Sequence, residues 1–186
     1  MSAVGVPPKW VVERLHSAGI LVMNVRETTK PIFITVSSSS DHATKISFAY
    51  QMVGHPKHVS KALEVGVDLI CAQAGEGGGH TGDMPASILI PAVVDEVRGK
   101  KSPLTGGPVL VVGAGAVYDG RGLAANLAWG AQAVWVGTRF VACEEAGAPP
   151  THKKAIVDAG HEDFVRTLIY TGRPLRVIRN PYINDW

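Results

Sequence analysis

The sequence is poor in charged residues, which argues against two classes of protein. Asp, Glu, Lys and Arg make up 18 % of the 186 residues, where about 25 % is usual. An intrinsically disordered chain would need more charge and fewer β-branched residues. A basic nucleic-acid-binding protein is disfavoured because the formal net charge is only +2 and no run of Lys or Arg exceeds two residues. We therefore expect no nucleic-acid partner.

Cysteine and long apolar runs are scarce as well. Cys71 and Cys143 are the only cysteines, which fits a reducing compartment and gives neither a disulfide framework nor a zinc motif. The longest apolar stretches, such as 86–94 and 108–112, fall short of the ~18 residues that a membrane span needs. The N-terminal segment MSAVGVPPKW lacks the basic start and apolar core of a signal peptide. We expect a cytoplasmic globular protein with no membrane partner.

Apolar runs of strand length alternate with segments of helical periodicity. Strands are predicted at 20–24, 67–73, 108–112 and 133–136. Helices are predicted at 7–19, 56–66, 87–98, 120–129, 138–145 and 151–158. The strand runs are continuous rather than alternating, so both faces of their sheet should be covered. Strand–helix–strand order with short connections predicts right-handed βαβ units and a parallel sheet of four strands.

Glycine is abundant, and it clusters where three predicted strands end. There are 21 glycines in 186 residues, about 11 % against a usual 7 % or so. The clusters lie at 75–79 with Gly82, at Gly113 and Gly115, and at Gly137. Glycine permits positive φ and close approach to a ligand, and parallel α/β folds bind ligands at the carboxyl ends of their strands. The clusters therefore predict a ligand site at this edge, although tight turns alone would also explain them.

The second and third clusters favour phosphate binding over a Rossmann dinucleotide site. Tyr118 stands where the third glycine of G-x-G-x-x-G should be, and no acidic residue ends the next strand. Two consecutive strand ends with free backbone N–H groups, one followed by a helix from about Gly120, can bind an anion. The last two loops of a (β/α)8 barrel bind phosphate in this way. Simple turn formation is the alternative.

The first cluster, QAGEGGGHTG at 73–82, holds a candidate catalytic residue in His80. An ordinary histidine pKa of about 6.5 suits proton transfer at neutral pH, although a lone histidine is often structural or merely solvated. Glu76 is either a second base or a carboxylate that pins the loop. Gln73 either hydrogen-bonds a planar heterocycle or satisfies backbone groups. The remaining histidines lack metal-ligand spacing, so no metal site is predicted.

At these residues the sequence resembles the nitronate monooxygenase family, also called 2-nitropropane dioxygenases. The matching stretches are 5–20, 55–85, 107–145 and 171–182, and they contain the signatures Q-x-G-E-x-G-G-H-x-G and D-G-R-G-L-A-A…V-G-T-R-F. The resemblance implies an α/β fold of the (β/α)8 TIM-barrel type, of which this chain would supply the C-terminal half with about four parallel strands. It also implies FMN as cofactor, and a nitronate or nitroalkane with O2 as substrates.

The resemblance further implies a role for particular residues. His80 takes the position of the active-site histidine and would act as a base toward the nitroalkane α-carbon or orient a nitronate. Ala116 stands where the family usually has a second glycine. The implied cofactor-binding residues are Gln73, Gly78 and Gly79 along the flavin, Gly115 and Ala116 in a first phosphate loop, and Trp135, Val136, Gly137 and Thr138 in a second phosphate loop.

Other functions fit the same loops. A related flavin-barrel reductase that uses NAD(P)H would share the phosphate loops, because a fold does not determine its chemistry. A non-catalytic FMN- or phosphate-binding half-barrel is the third possibility. An open four-stranded sheet has unpaired edges and exposed apolar faces, which favour homo-oligomers.

The stretch 25–51 does not fit the alternation of strands and helices. It contains no glycine and carries four consecutive serines at 37–40. One interpretation is a surface insertion in a βα loop. The other is an unspliced intron translated in frame, because deleting 25–51 joins Asn24 to Met52 in register with the family. We therefore expect one partial flavin-binding barrel domain over 1–186, interrupted by a non-family insert at 25–51, and sequencing the mature transcript distinguishes the two interpretations.

Overall fold

Strands and helices alternate along the chain in a computed structural model, which describes residues 8–19 and 51–185. The helices of this part are α1 (Lys9–Ser17), α2 (Val59–Glu64), α3 (Ala86–Val97), α4 (Gly120–Ala128), α5 (Thr138–Val141), α6 (Pro150–Asp158) and α7 (Pro181–Asn184). The strands are β1 (Gln51–Val53), β2 (Leu69–Gln73), β3 (Gly79–His80), β4 (Leu110–Ala114), β5 (Ala133–Trp135), β6 (Phe164–Thr167) and β7 (Leu175–Ile178).

Four of these strands form the parallel sheet that the sequence predicts. Their order is β1-β2-β4-β5, and each neighbouring pair is parallel. The strand predicted at 108–112 begins two residues later, at Leu110, because Pro108 has no N–H and makes only an isolated bridge to Lys101. The predicted strand at 20–24 and the stretch 25–50 lie outside the described residues. Gln51, the last residue of the predicted insert, begins β1.

The helices end close to the positions predicted from the sequence, except for α5. Gly19, Gly66 and Gly130 have φ of +70°, +85° and +95° just beyond helix ends, as expected for glycines that terminate helices. The helix predicted at 138–145 ends at Val141 instead. The carbonyl of Cys143 accepts a hydrogen bond from Nζ of Lys153 at 2.6 Å. That carbonyl is directed toward α6 and does not extend the helix.

The main core lies on one face of the parallel sheet. Ile70 and Val111 on that face are fully buried against Leu89, Ile90 and Val93 of α3. The opposite face has a smaller cluster of Cys71, Val112 and Ala114. The prediction that both faces are covered holds at Cys71, which is fully buried, but is wrong at Leu110, which is 37 % exposed. Burial raises the pKa of the Cys71 thiol to about 12, so this cysteine is a neutral packing residue.

A second, antiparallel sheet of order β3-β7-β6 was not predicted from the sequence. Strands β6 and β7 form a hairpin, and β7 also pairs with the two residues of β3. This hairpin lies against the loop that carries His80. None of the helices in the described ranges is long and apolar enough to cross a membrane.

Candidate active site

The carboxyl ends of three parallel strands bring predicted site residues into one row. Gln73 of β2 pairs with Ala114 of β4, which pairs with Trp135 of β5. Because side chains alternate along a strand, Gln73 and Trp135 lie on the same face as Cys71. Gln73 is 8 % exposed, and no group among the described residues hydrogen-bonds its side-chain amide. The structure therefore does not support the interpretation that Gln73 hydrogen-bonds backbone groups, and its side-chain amide is available to a ligand.

The glycine-rich loop (74–82) comes so close to its neighbours that it needs its glycines. A Cβ on Gly77 would lie 1.8 Å from Nε2 of Gln73, and a Cβ on Gly78 would lie 2.8 Å from Oγ1 of Thr138. Gly115 has a φ of +97°, and its Cβ would lie 3.2 Å from the backbone nitrogen of Gly77. The loops that follow β2, β4 and β5 therefore meet at the carboxyl edge of the sheet, as the glycine clusters predict.

Backbone N–H groups are available where these loops meet. Within residues 8–19 and 51–185, the N–H groups of Gly78, Ala116 and Gly137 donate to no other group. Free N–H groups in adjacent loops carry partial positive charge and suit an anion. Arg139 connects the loops that follow β4 and β5, because its Nη1 donates to the carbonyl oxygen of Tyr118 at 3.0 Å. Trp135 and Val136 are half-buried beside them.

The N-terminus of α4 offers fewer free N–H groups to an anion than the sequence suggests. The Asp119 carboxylate accepts hydrogen bonds from the backbone N–H groups of Arg121 at 3.0 Å and Gly122 at 3.3 Å. The Arg121 guanidinium also donates to it, and this side-chain hydrogen bond holds the pKa of Asp119 below its ordinary value. The chain's own carboxylate therefore caps the helix, and an anion would depend on the loop N–H groups instead.

Ala116 is the described non-glycine residue with a positive φ, +57°. This left-handed conformation costs an L-residue about 1–2 kcal/mol, whereas glycine loses about 0.4–1 kcal/mol more chain entropy on folding. We expect Ala116→Gly to raise the free energy of unfolding by about 0.5–1 kcal/mol in urea denaturation.

The neighbouring glycine provides the control for this prediction. Gly115→Ala should destabilise the protein, because its Cβ would lie 3.1 Å from both the Cβ and the carbonyl oxygen of Ala74. Destabilisation by Ala116→Gly would show that residue 116 does not adopt this conformation in solution.

His80 is held by the β6–β7 hairpin. It lies on β3 opposite Leu175, and its Nε2 is 2.9 Å from Oγ1 of Thr171 in the hairpin turn. The next residue, Thr81, donates its N–H to the carbonyl oxygen of Pro174 at 3.2 Å. Sequence reasoning missed Thr171, although the stretch 171–182 belongs to the family resemblance. No local pattern links Thr171 to His80, which lies 91 residues away.

Glu76 has a structural role in the same loop. Its two carboxylate oxygens lie 3.1 and 3.2 Å from the backbone nitrogen of Ala86 and accept that N–H. Ala86 is the first residue of α3, where a carboxylate is stabilised by free N–H groups and by the helix dipole. Of the two interpretations of Glu76, the loop-pinning carboxylate fits this geometry.

The family-model comparison identifies the family of the chain. A model described as nitronate monooxygenase matches residues 1–186. The chain belongs to the nitronate monooxygenase family. This confirms the prediction from the Q-x-G-E-x-G-G-H-x-G signature, and the α/β fold with its parallel four-stranded sheet is a partial barrel of this family's TIM-barrel type.

Individual relatives agree with this nitronate monooxygenase assignment. A Bacillus subtilis protein named probable nitronate monooxygenase is 32 % identical over 72 % of this chain and 39 % of its own length. A Mycobacterium tuberculosis protein named as an indene-carboxyl-CoA dehydrogenase is 40 % identical over 70 % of the chain and 35 % of its own length. The solved structure of nitroalkane oxidase from Streptomyces ansochromogenes has a TM-score of 0.72 at 28 % identity, over 97 % of the chain and 45 % of that structure. The chain thus spans less than half the length of these relatives.

Proposed function

We propose that this chain supplies the flavin site and the catalytic histidine of an FMN-dependent nitronate monooxygenase. The observation that carries the proposal is the meeting of three loops at the carboxyl edge of the sheet, where Gln73, Gly78, Gly115 and Thr138 come together. Family membership supports an oxidoreductase role. The reaction would convert alkyl nitronates, or nitroalkanes, with O2 into carbonyl compounds and nitrite.

The residues of this edge fit the chemical groups of FMN. The side-chain amide of Gln73 can donate and accept hydrogen bonds, as the polar edge of a planar heterocycle requires. The N–H groups of Ala116 and Gly137 suit a phosphate. Gly79, Trp135 and Val136 belong to the same strand ends and would complete the lining of the site. When bound, FMN would supply the redox chemistry that oxidises the nitronate and passes electrons to O2.

His80 would provide acid–base chemistry beside the cofactor. Its imidazole would accept the proton from the α-carbon of a nitroalkane, and the electron pair left behind would delocalise over the nitro group as a nitronate. In overall balance, two nitronate anions and one O2 give two carbonyl compounds and two nitrite ions. The hydroxyl of Thr171 holds Nε2 of His80, which would fix the orientation of the ring toward the substrate.

Gly78→Val tests the position of FMN on these loops. The new Cβ would overlap Oγ1 of Thr138 and separate the glycine-rich loop from the second phosphate loop. We expect fluorescence titration to show an FMN affinity that is lower by about tenfold or more, which corresponds to a loss of at least about 1.4 kcal/mol of binding free energy. Gly147→Val is the matched control, because a Cβ at Gly147 meets no atom within 4 Å. Equal FMN affinity in both variants would contradict the assignment.

A dehydrogenase or reductase is the second candidate, because the relative with 40 % identity is named as a carboxyl-CoA dehydrogenase. The same phosphate loops would serve such an enzyme. Assaying propyl nitronate with O2 separates the two candidates. Oxygen uptake with nitrite release supports the monooxygenase, whereas flavin-dependent oxidation of NAD(P)H without nitronate turnover supports the reductase. Bound flavin with neither activity would indicate the non-catalytic half-barrel.

A further inference from the structure

A polar cavity lies between the glycine-rich loop and the β6–β7 hairpin. Its volume is about 210 Å3, and its lining includes Gly75, Glu76, Gly82, Asp83, Arg166 and Arg176. Liquid water occupies about 30 Å3 per molecule, so the cavity has room for a small polar group together with water. It contains none of the residues of the two phosphate loops.

Two arginines lie side by side in the lining of this cavity. Arg166 of β6 and Arg176 of β7 are directly opposed in the antiparallel register, so their side chains lie on the same face of the hairpin. Like charges in this arrangement destabilise a sheet unless an opposite charge lies near them. The Asp83 carboxylate, which pairs with Arg166, offsets part of this repulsion, and an anion beside Arg176 would offset the rest.

The hydrogen-bonding capacity of Arg176 is largely unused. Its Nε donates to the carbonyl oxygen of Gly75 at 2.8 Å, which fixes the direction of the half-buried guanidinium. A guanidinium has five N–H donors, and in the described part of the chain no carboxylate forms an ion pair with Arg176. The remaining Nη donors are therefore available to an acceptor in the cavity.

The two carboxylates that line the cavity each have a partner. Asp83 forms an ion pair with Arg166. Glu76 accepts the N–H of Ala86 at the N-terminus of α3 with both of its oxygens. The charged side chains of the lining are thus two arginines and two carboxylates, and Arg176 is the arginine of this pair that forms no ion pair among the described residues.

We propose that this cavity binds an oxyanion, the phosphate or carboxylate group of a small molecule, between Arg166 and Arg176. A guanidinium with two free nitrogens can bind either group through two parallel hydrogen bonds. The site is separate from the loops assigned to the FMN phosphate. Oxyanion binding in this cavity therefore does not depend on whether the chain binds flavin.

Titration of the full chain with inorganic phosphate and with acetate tests the proposal. Calorimetry at constant ionic strength, balanced with chloride, should show saturable binding to the wild type. Arg176→Gln and Arg166→Gln should each weaken that binding by about tenfold or more, since each removes a charge-assisted hydrogen bond. Arg179→Gln is the matched control, because Arg179 is exposed and does not line the cavity. Stronger binding of phosphate identifies a phosphate group as the natural ligand, and equal or stronger binding of acetate identifies a carboxylate.

Gly78→Val distinguishes this cavity from the flavin loops. Anion binding should persist in Gly78→Val and weaken in Arg176→Gln. Binding that disappears in Gly78→Val but survives in Arg176→Gln would place the anion at the phosphate loops and overturn the proposal, as would the absence of saturable binding. If Arg176→Gln does not fold, the NMR signal of the Arg176 Nε–H in the wild type decides the matter. It should shift with added phosphate or acetate, and an unchanged signal would refute the site.

Discussion

Replacing His80 by asparagine is expected to lower turnover of a nitroalkane by about a hundredfold or more while flavin stays bound. The amide of asparagine replaces Nδ1 and does not reach Oγ1 of Thr171, which lies 2.9 Å from Nε2 of His80, and an amide cannot accept the α-proton. Positioned general bases contribute about 10²–10⁴-fold to such reactions. Initial rates of nitrite release, together with the flavin absorption spectrum of the variant, measure both parts of this result.

Two comparisons make the His80 prediction specific. A preformed nitronate has already lost its α-proton, so His80→Asn should slow its oxidation much less than that of the parent nitroalkane. His152→Asn on the exposed α6 surface should leave both rates unchanged. Nitroalkane turnover at the wild-type rate in His80→Asn would exclude His80 as the base.

Removing the Asp68 carboxylate is expected to lower the free energy of unfolding by about 3 kcal/mol. Asp68 is 1 % exposed at the amino end of β2. It accepts hydrogen bonds from Oγ of Ser102 and the N–H of Leu104, and it lies 2.9 Å from Nε2 of His16. Asp68→Ala would leave these buried donors unpaired, which costs more than the net value of the bonds themselves. Urea denaturation measures the loss.

Asp158→Ala is the control for Asp68→Ala. Its carboxylate forms an exposed i,i+4 ion pair with Lys154, and such pairs contribute only about 0.3–0.5 kcal/mol. A loss of stability no greater than that of Asp158→Ala would show that the Asp68 network does not join α1 and the α3–β4 loop to the sheet.

The parallel sheet was predictable because its signals are local. The VDLICAQ run, which contains β2, is largely apolar over strand length, and Gly66 and Gly130 mark the ends of α2 and α4. The antiparallel sheet had no such signal. Strand β3 has two residues, and Gly79 pairs with Arg176, far away in sequence. Pairing at that separation depends on tertiary structure, which neither propensity nor periodicity encodes.

The candidate site was predictable where its signals are local in sequence. Gln73, Gly78, Gly115 and Thr138 were named from strand ends and the family signatures, and these positions meet in the fold. The capping of α4 by Asp119 was missed, although Asp before a helix is a local signal that could have revealed it. The support of His80 by Thr171 and the network of Asp68 with His16 depend on long-range contacts, so the sequence alone could not reveal them.

Stoichiometric retention of FMN by the full chain is the decisive test of the proposed flavin site. The full chain should be incubated with excess FMN and passed through a gel-filtration column, with absorption recorded across the protein peak. We expect a flavin spectrum that coelutes with the protein at one FMN per chain and is lost in Gly78→Val but kept in Gly147→Val. A colourless wild-type peak, or flavin retained equally by both variants, would contradict the proposed flavin site.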